Sequence, residues 1–398
     1  MNPVDFPANL PTIASGTTTN SGLQKVDVAI VGAGIVGLAY ALAAAKRGWK
    51  VTVFERNPYA VGASIRNFGM IWPIGQPIGK LLERAMRSRQ IWLEVAEAAG
   101  MDLETCGSLH LAYRTDEWAV IEEFAATRQQ AGYQIELFNP AQTLEKSPAV
   151  VSQGLLGSLW SATEMTVDPR QVIRQLPRYL SENWAVQFHF GQVVNRIEGG
   201  HLWVGGRVWQ ADQILVCSGA DFETLYPERF AASGITKVKL QMMRSIPQPD
   251  NFRIGPSLCG GLTLTHYEAF SHCASLGSLK ERIQEETPFF PEWGIHVMVS
   301  QNAQGELTIG DSHEYGLNPE PFDQVLINDK ILDYLQSFAR FPDLKIAQLW
   351  NGVYPKIIGK TEWIECPEPG VTIINALSGA GMTLSFGLAE EVITTQVR

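Results

Sequence analysis

Between positions 28 and 45 the chain runs for 18 uncharged, mostly apolar residues, and what this run can become constrains everything around it. As a membrane helix it would sit at the lower edge of the spanning length. Gly32, Gly34 and Gly37 argue against that reading, because they interrupt the run directly after the β-rich stretch 26–31. Lys46, Arg47 and Gly48 close the Ala-rich segment 35–47, and a second β-rich run follows at 51–54. The pattern is strand, turn, helix, strand: a βαβ unit with Gly48 as the helix stop. A Gly-x-Gly-x-x-Gly at such a junction has a mechanical reading. The first glycine permits the tight turn, the second lets backbone approach a pyrophosphate, and the third packs helix on strand. The anion then rests on the helix N-terminus, beside Ile35 and Val36. Glu55 ends the second strand 18 residues after Gly37, where a carboxylate can accept bonds from both ribose hydroxyls and would repel a 2′-phosphate. NADP is thereby disfavoured, and NAD and FAD remain.

Composition bounds the rest. At 398 residues and 45% hydrophobic positions, the chain is larger than one core usually serves, so two domains are expected. Lys plus Arg is 31 against 41 Asp plus Glu, a net charge of −10 that argues against nucleic acid or anionic lipid as partner. The cysteines, Cys106, Cys217, Cys259, Cys273 and Cys366, are odd in number and form no C-x-x-C pair. That fits a reducing, cytoplasmic compartment without a disulfide framework or zinc ribbon. No metal-ligand or Ser/His/Asp spacing stands out, so no metal is expected. Residues 1–24 read as a flexible extension rather than a signal peptide, and no membrane span is expected.

Along the chain, a long Gly/Pro-punctuated loop at 57–79 precedes a helix at 80–99 stopped by Gly100, a strand at 108–113 and a helix at 116–130. Val167-Asp168-Pro169-Arg170 opens a further helix, with Asp168 placed to cap it and Pro169 in its first turn. Residues 187–219 form short β segments ending in strand 214–217 and Ser218-Gly219. From about 240 to 315 the pattern is β-rich with little helix, including strands at 294–300 and 307–310, and suggests a second sheet. A helix at 323–341, a strand at 371–376, a glycine-rich turn at 378–381 and a helix at 382–392 close the chain. A nicotinamide dehydrogenase would continue with regular βα units. The hairpin-rich meander before 214–217 and the glycine-rich last turn favour FAD. Backbone N–H groups of Ser378-Gly379-Ala380-Gly381 could polarise the pyrimidine edge of a flavin.

Val-Gly-Ala-Gly-Ile-Val-Gly at 31–37, Glu55-Arg56, Gly-Ala-Ser at 62–64, Val-Asp-Pro-Arg at 167–170, Cys-Ser-Gly-Ala at 217–220 and Ser-Gly-Ala-Gly at 378–381 stand in a telling order. The chain resembles, over roughly 26–395, the D-amino-acid oxidase, glycine oxidase and sarcosine oxidase family. Stretches 65–73 and 265–267 also resemble a branch associated with aminophosphonate oxidation. The resemblance implies an α/β fold: a Rossmann-like, glutathione-reductase-type FAD domain with a second α+β domain on a large, mainly antiparallel sheet. It implies an FAD-binding unit of 25–105, 167–238 and 345–398, a substrate unit of 106–166 and 239–344, and a site at their interface. Ser64, Asn67, Gly69 and Met70 would line the cofactor, Val194 would meet the adenine through its backbone, and Arg56, Ser218 and Gly219 would also bind the cofactor. Gly379, Gly381, Met382 and Thr383 would lie at the flavin.

One position departs from the family. Its amino-acid oxidases usually hold the substrate carboxylate with an arginine in a late Arg-Pro pair, a bidentate fork suited to a planar anion. Here the pair is Tyr354-Pro355, leaving Arg66 and Lys356 as cations for a different acid group, and a tetrahedral phosphonate would suit them. Some relatives attach FAD covalently through a cysteine near this position; with Tyr354 there, non-covalent FAD is expected. His296 and His313 fall on adjacent expected strands where substrate-facing residues lie. Each reads equally as a sheet histidine with a satisfied hydrogen bond, and Tyr267 carries the same two readings. The implied reaction is oxidation of a C–N bond in a small amine, by hydride transfer to flavin N5 and imine hydrolysis, with oxygen or another acceptor taking the electrons. Two other readings stand beside it. One is FAD-dependent oxidation of a hydroxy acid or polyol phosphate with His296 as base, and the other is a redox-sensing flavoprotein without turnover.

Overall fold

The computed structural model describes residues 23–128 and 131–395. Residues 1–22 of the expected extension, and 129–130 of the expected helix 116–130, lie outside the described residues. The βαβ unit forms strand Gln24–Val31, helix Ile35–Ala45 and strand Val51–Glu55. It seeds a parallel core in the order Gln187–Phe190, Val51–Glu55, Gln24–Val31, Arg207–Val216, Val371–Asn375. Strands covered on both faces must be apolar nearly throughout, and Val51–Glu55 is buried at every position. Antiparallel strands Val194–Glu198 and His201–Val204 extend the sheet beside the first half of Arg207–Val216.

Helices Ile35–Ala45, Lys80–Ala99, Pro169–Trp184 and Gly381–Thr395 contribute to one core, with Leu38, Tyr40, Trp92, Leu176 and Phe386 buried in it. A second core gathers Phe54, Trp209, Phe222, Phe230 and Trp363. The helices Lys80–Ala99 and Gly381–Thr395 approach closely because Gly387 has no side chain: a Cβ there would lie 2.5 Å from the Arg84 carbonyl oxygen. At the same crossing the Arg84 side chain, 1% exposed, donates to both oxygens of Glu391 at 2.9 Å and to Glu362 at 3.0 Å. A fork-to-fork pair holds both distance and orientation.

The second sheet has nine strands and is mainly antiparallel; its parallel pair joins Ser257–Cys259 to Ser108–Ala112. Thr236–Pro247 pairs with Glu306–Gly310, Glu314–Gly316 and Ile346–Lys356. The last pairing corrects the expected segment 345–398. Its first strand belongs to the substrate-side sheet, where residues 346–356 pair with Thr236–Pro247 along almost their full length. A three-stranded sheet of Met70–Ile71, Met165–Val167 and Leu103–Glu104 ties the long loop down.

The stretch 240–315 is less purely β than expected. It holds helix Leu276–Glu286, whose Leu276, Leu279 and Ile283 are buried at helical spacing, and short helical turns at Gly261–Thr265 and Glu268–Phe270. Gly277-Ser278 reads locally as a turn, which hides the helix; packing overrides it. The strands expected at 294–300 and 307–310 are Met298–Gln301 and Glu306–Gly310. His296 and His313 therefore lie just outside strands, and His296 is tied to Asp311 through mutual backbone bonds.

Candidate active site

The glycine-rich turn is built as its spacing requires. Gly32 adopts φ +103°, and a Cβ there would lie 2.4 Å from the Cys217 carbonyl oxygen, so strand 24–31 and strand 207–216 meet at a point only glycine allows. Gly34 sits at the helix N-cap with no side-chain cap, and the Ile35 amide donates to Ser64 Oγ at 2.9 Å. Gly37 packs helix on turn, the role its spacing gave it: its Cβ would fall 2.0 Å from the Gly32 carbonyl oxygen. Gly69, expected to line the cofactor, does not line the cavity beside this turn. It adopts φ +74° against Val167, whose amide donates to the Gly69 oxygen at 2.9 Å, so it fastens the loop and does not face the cavity.

One cavity of about 530 Å³ adjoins this turn. It is lined by Gly32, Gly34, Ile35, Val36, Glu55, Arg56, Ser64, Asn67 and Met70. Val194, Ser218, Gly219, Gly379, Gly381, Met382 and Thr383 line it too. Glu55 is buried, its carboxylate accepting from the Ala33 amide at 3.0 Å and the Asn57 amide at 2.9 Å. Arg56 is turned to Asp221, at 2.7 Å. Asn67 braces the long loop, accepting from the Gly69 amide and donating to Ala63 and Ser64 oxygens. Thr383 accepts the Trp72 amide at 2.9 Å, and the Ser218 hydroxyl donates to the Asp221 oxygen at 2.9 Å. A glycine turn that excludes side chains, a helix start whose own N-cap residue carries no side chain and a buried carboxylate on the next strand fit the phosphates and ribose of an adenine dinucleotide.

His296, His313, Tyr267, Tyr354, Lys356 and Arg66 line the same cavity. The Tyr354 hydroxyl approaches the last glycine turn, 3.5 Å from where a Gly379 Cβ would stand. Burial raises the Tyr267 and Tyr354 hydroxyls well above their ordinary range, so both stay neutral. Arg66 is partly engaged, donating to the Asn351 oxygen at 3.3 Å, and the Lys356 ammonium lies 3.4 Å from the Tyr315 hydroxyl.

The fold also assembles what sequence spacing does not show. His266, Asp311 and Trp72 join the cavity wall, and one ligand atom from each of His266, His296 and His313 lies within 4.8 Å of the others. No spacing in the sequence points to this cluster. These residues come from three separate segments, and Asp311 and His313 sit in Gly310-Asp-Ser-His, a run with no distinctive chemistry of its own. Asp311 Oδ1 lies 3.1 Å from His296 Nε2, and Oδ2 lies 3.9 Å from His313 Nε2. Burial holds all three imidazoles low, His313 at about 4 and His296 well below the ordinary value, and it raises the Asp311 carboxyl well above its own. His266 is accessible through the cavity, yet protein surrounds it closely enough that desolvation is the main cause of its low value, ahead of the other two histidines and Lys356.

A dinucleotide cradle and an aromatic, histidine-rich chamber sharing one cavity define an oxidoreductase with a bound redox cofactor. Residues 27–394 match the model of the FAD-dependent oxidoreductase family named DAO, and the chain belongs to that family. Glycine oxidase of Geobacillus kaustophilus (strain HTA426) is 24% identical over 348 residues, covering 84% of this chain and 82% of that protein. The aerobic glycerol-3-phosphate dehydrogenase of Staphylococcus saprophyticus is 28% identical over 166 residues, 39% of this chain and 29% of that protein. The crystal structure of the Geobacillus kaustophilus glycine oxidase superposes with a TM-score of 0.73 at 19% identity, covering 94% of this chain and 96% of that one. L-α-glycerophosphate oxidase from Mycoplasma pneumoniae with FAD bound gives 0.71 at 16% identity, covering 93% and 95%. The cofactor is FAD.

Proposed function

We propose that this FAD-dependent oxidoreductase oxidises the C–N bond of a small amine that also carries an acid group, with aminophosphonates as the favoured class. The observation that carries the reading is the shared cavity: Gly32, Gly34 and Glu55 stand in one wall and His296, Tyr267 and Tyr354 in another part of the same enclosure. Bound FAD would supply the hydride acceptor, and the imine product would hydrolyse in water. The protein's residues bind, orient and shield. Trp72 and Tyr267, with ring centroids 6.2 Å apart, form an aromatic wall that excludes water from the amine. Tyr354 supplies a neutral hydroxyl beside the Gly379 turn, able to orient the substrate without competing for its proton. Lys356 or Arg66 would anchor the acid group in place of the family's arginine. On this reading the FAD-binding unit comprises 25–105, 167–238 and the part of 345–398 after the strand Ile346–Lys356, with FAD held non-covalently and oxygen or another acceptor regenerating it.

The test is anaerobic bleaching of the bound flavin by a panel containing aminophosphonates, glycine, sarcosine, D-alanine and glycerol 3-phosphate. A small aminophosphonate should reduce the flavin fastest, with ammonia or an alkylamine released. Arg66→Ala or Lys356→Ala should lower kcat/KM by roughly 10- to 1000-fold, as loss of a charged anchor of about 1.5 to 4 kcal/mol does. Faster reduction by a simple amino acid, or unaltered kinetics in both variants, would refute the acid-group assignment. A second reading has support in the similarity to a glycerol-3-phosphate dehydrogenase and in the His296–Asp311 pair, which could accept an alcohol proton. Reduction by glycerol 3-phosphate alone would favour it, and reduction by nothing in the panel would favour a sensor.

A further inference from the structure

The three histidines are the residue type that holds zinc, but their arrangement does not suit it. A tetrahedral ion needs lone pairs converging from different directions. Here His296 is stacked on both neighbours, on His266 at 3.7 Å and 27° and on His313 at 5.3 Å and 19°, while His266 and His313 are tilted at 4.7 Å and 38°. Stacked rings direct their nitrogens side by side, a geometry for several oxygens of one polyatomic anion. Lys356 lines the same cavity, and its ammonium would oppose a metal cation there. Two polar atoms of cavity-lining side chains, His296 Nδ1 and Trp72 Nε1, have no hydrogen-bond partner among the described residues, and Asp311 Oδ1 has only the 3.1 Å approach of His296 Nε2, which is not aligned as a hydrogen bond. The His296 and Asp311 side chains are only 4% and 5% exposed. Unpaired buried polar atoms in a cavity wall are costly unless a ligand completes them.

We propose that His266, His296, His313 and Lys356, with Asp311 behind them, form the binding site for a tetrahedral dianion, the phosphonate or phosphate ester of the substrate, and that this stack takes up one proton as the dianion enters. This rests on the reading that the cavity takes a small substrate with an acid group, and it names that group and its anchor. The proton follows from bonding and charge. His313 Nδ1 lies 2.9 Å from the Gly294 carbonyl oxygen, which can only accept, so the neutral ring carries its proton on Nδ1 and none on Nε2. Nε2 can donate to an anion only after gaining a proton. Burial disfavours charge on all three rings and on Asp311, and Arg66, the other cation offered to the acid group, is turned to the Asn351 oxygen, so a dianion that meets Lys356 brings more negative charge than that one ammonium offsets in a desolvated site. One imidazole gaining a proton from water or buffer balances it. Beside the stack stand Tyr267 and Tyr354, which burial keeps protonated, and Tyr315 next to Lys356, while Arg66 and Glu268 line the same cavity.

The experiment is isothermal titration of the FAD-loaded protein with methylphosphonate, inorganic phosphate and acetate, in two buffers of different ionisation enthalpy. Above about pH 8, where the free anion has lost its second proton, methylphosphonate and phosphate should bind with uptake of about one proton and their Kd should rise about tenfold per pH unit. Acetate should bind at least tenfold more weakly. His266→Gln, at an accessible position, and His313→Asn should each weaken phosphonate binding ten- to hundredfold and reduce the proton count, with the flavin spectrum unchanged. Equal binding of acetate, no proton uptake by the wild type, or stoichiometric Zn²⁺ binding lost in His266→Gln would overturn the proposal. Reduction by aminomethylphosphonate against glycerol 3-phosphate separates a phosphonate amine from a phosphate ester. Phosphonate binding without amine oxidation would leave the dianion site standing and defeat the amine reading. Amine oxidation without phosphonate binding would do the reverse.

Discussion

Glu55 shows how one carboxylate serves two tasks. It bonds the Ala33 and Asn57 amides, which fixes its oxygens at the cavity wall beside the glycine turn. Glu55→Gln keeps the shape but turns an amide donor toward one of these donors. FAD binding should weaken by about 1 to 3 kcal/mol, the scale of a charge-assisted hydrogen bond. Equilibrium dialysis of FAD checks it, and an unchanged Kd would remove the ribose role. His110 is a buried group with no ligand to answer. Both ring nitrogens lack hydrogen-bond partners among the described residues, the ring packs on Trp72 and Phe270, and burial pushes its pKa down to about 3. A histidine with a depressed folded pKa stabilises least at low pH. The unfolded chain takes a proton near pH 6.5, so stability is lost as pH falls from there toward 3, at about 1.4 kcal/mol per pH unit for this residue. His110→Leu should therefore gain stability over the wild type as pH is lowered from 6.5, read as urea midpoints, and a pH-independent difference would contradict the assignment.

The first helix owes its placement to glycine at two contacts rather than to its own amphipathicity. Its residues are buried nearly all round, and Gly37 lets it press onto the Gly32 turn. Gly37→Ala puts a methyl 2.0 Å from a backbone oxygen that cannot rotate away. Overpacking of this kind costs about 1 to 3 kcal/mol, so a lowered denaturation midpoint with weaker FAD retention is expected. Thermal unfolding with and without added FAD distinguishes the two effects. Elements with strong local signals, such as Pro169–Trp184 with Asp168 capping the Arg170 amide at 2.9 Å, are legible in sequence because the cap and the periodicity lie within one stretch. Helix Leu276–Glu286 is not, because Gly277-Ser278 signals a turn and only burial of Leu279 and Ile283 outweighs it.

At the scale of the whole molecule, FAD should be released intact on acid precipitation. Tyr354 replaces the cysteine that would attach it, and the cavity-lining cysteine among the described residues, Cys217, is buried with its thiol pushed far up and is a poor nucleophile. Flavin remaining with the precipitate would overturn this. No helix among the described residues is long and apolar enough to cross a membrane, and the run at 28–45 is consumed by a strand, a turn and a helix. The amino-acid sequence by itself determined the βαβ unit, the glycine turn, the acidic strand end and the second sheet's existence, because each is written in residues a few positions apart, where steric limits and hydrogen bonding act locally. It did not determine that Ile346–Lys356 would cross into the nine-stranded sheet, that Gly69 would face a strand rather than the cavity, or that His266 and Asp311 would meet His296 and His313. Those outcomes depend on sheet register and on packing between segments far apart in the chain, and so only the tertiary structure decided them.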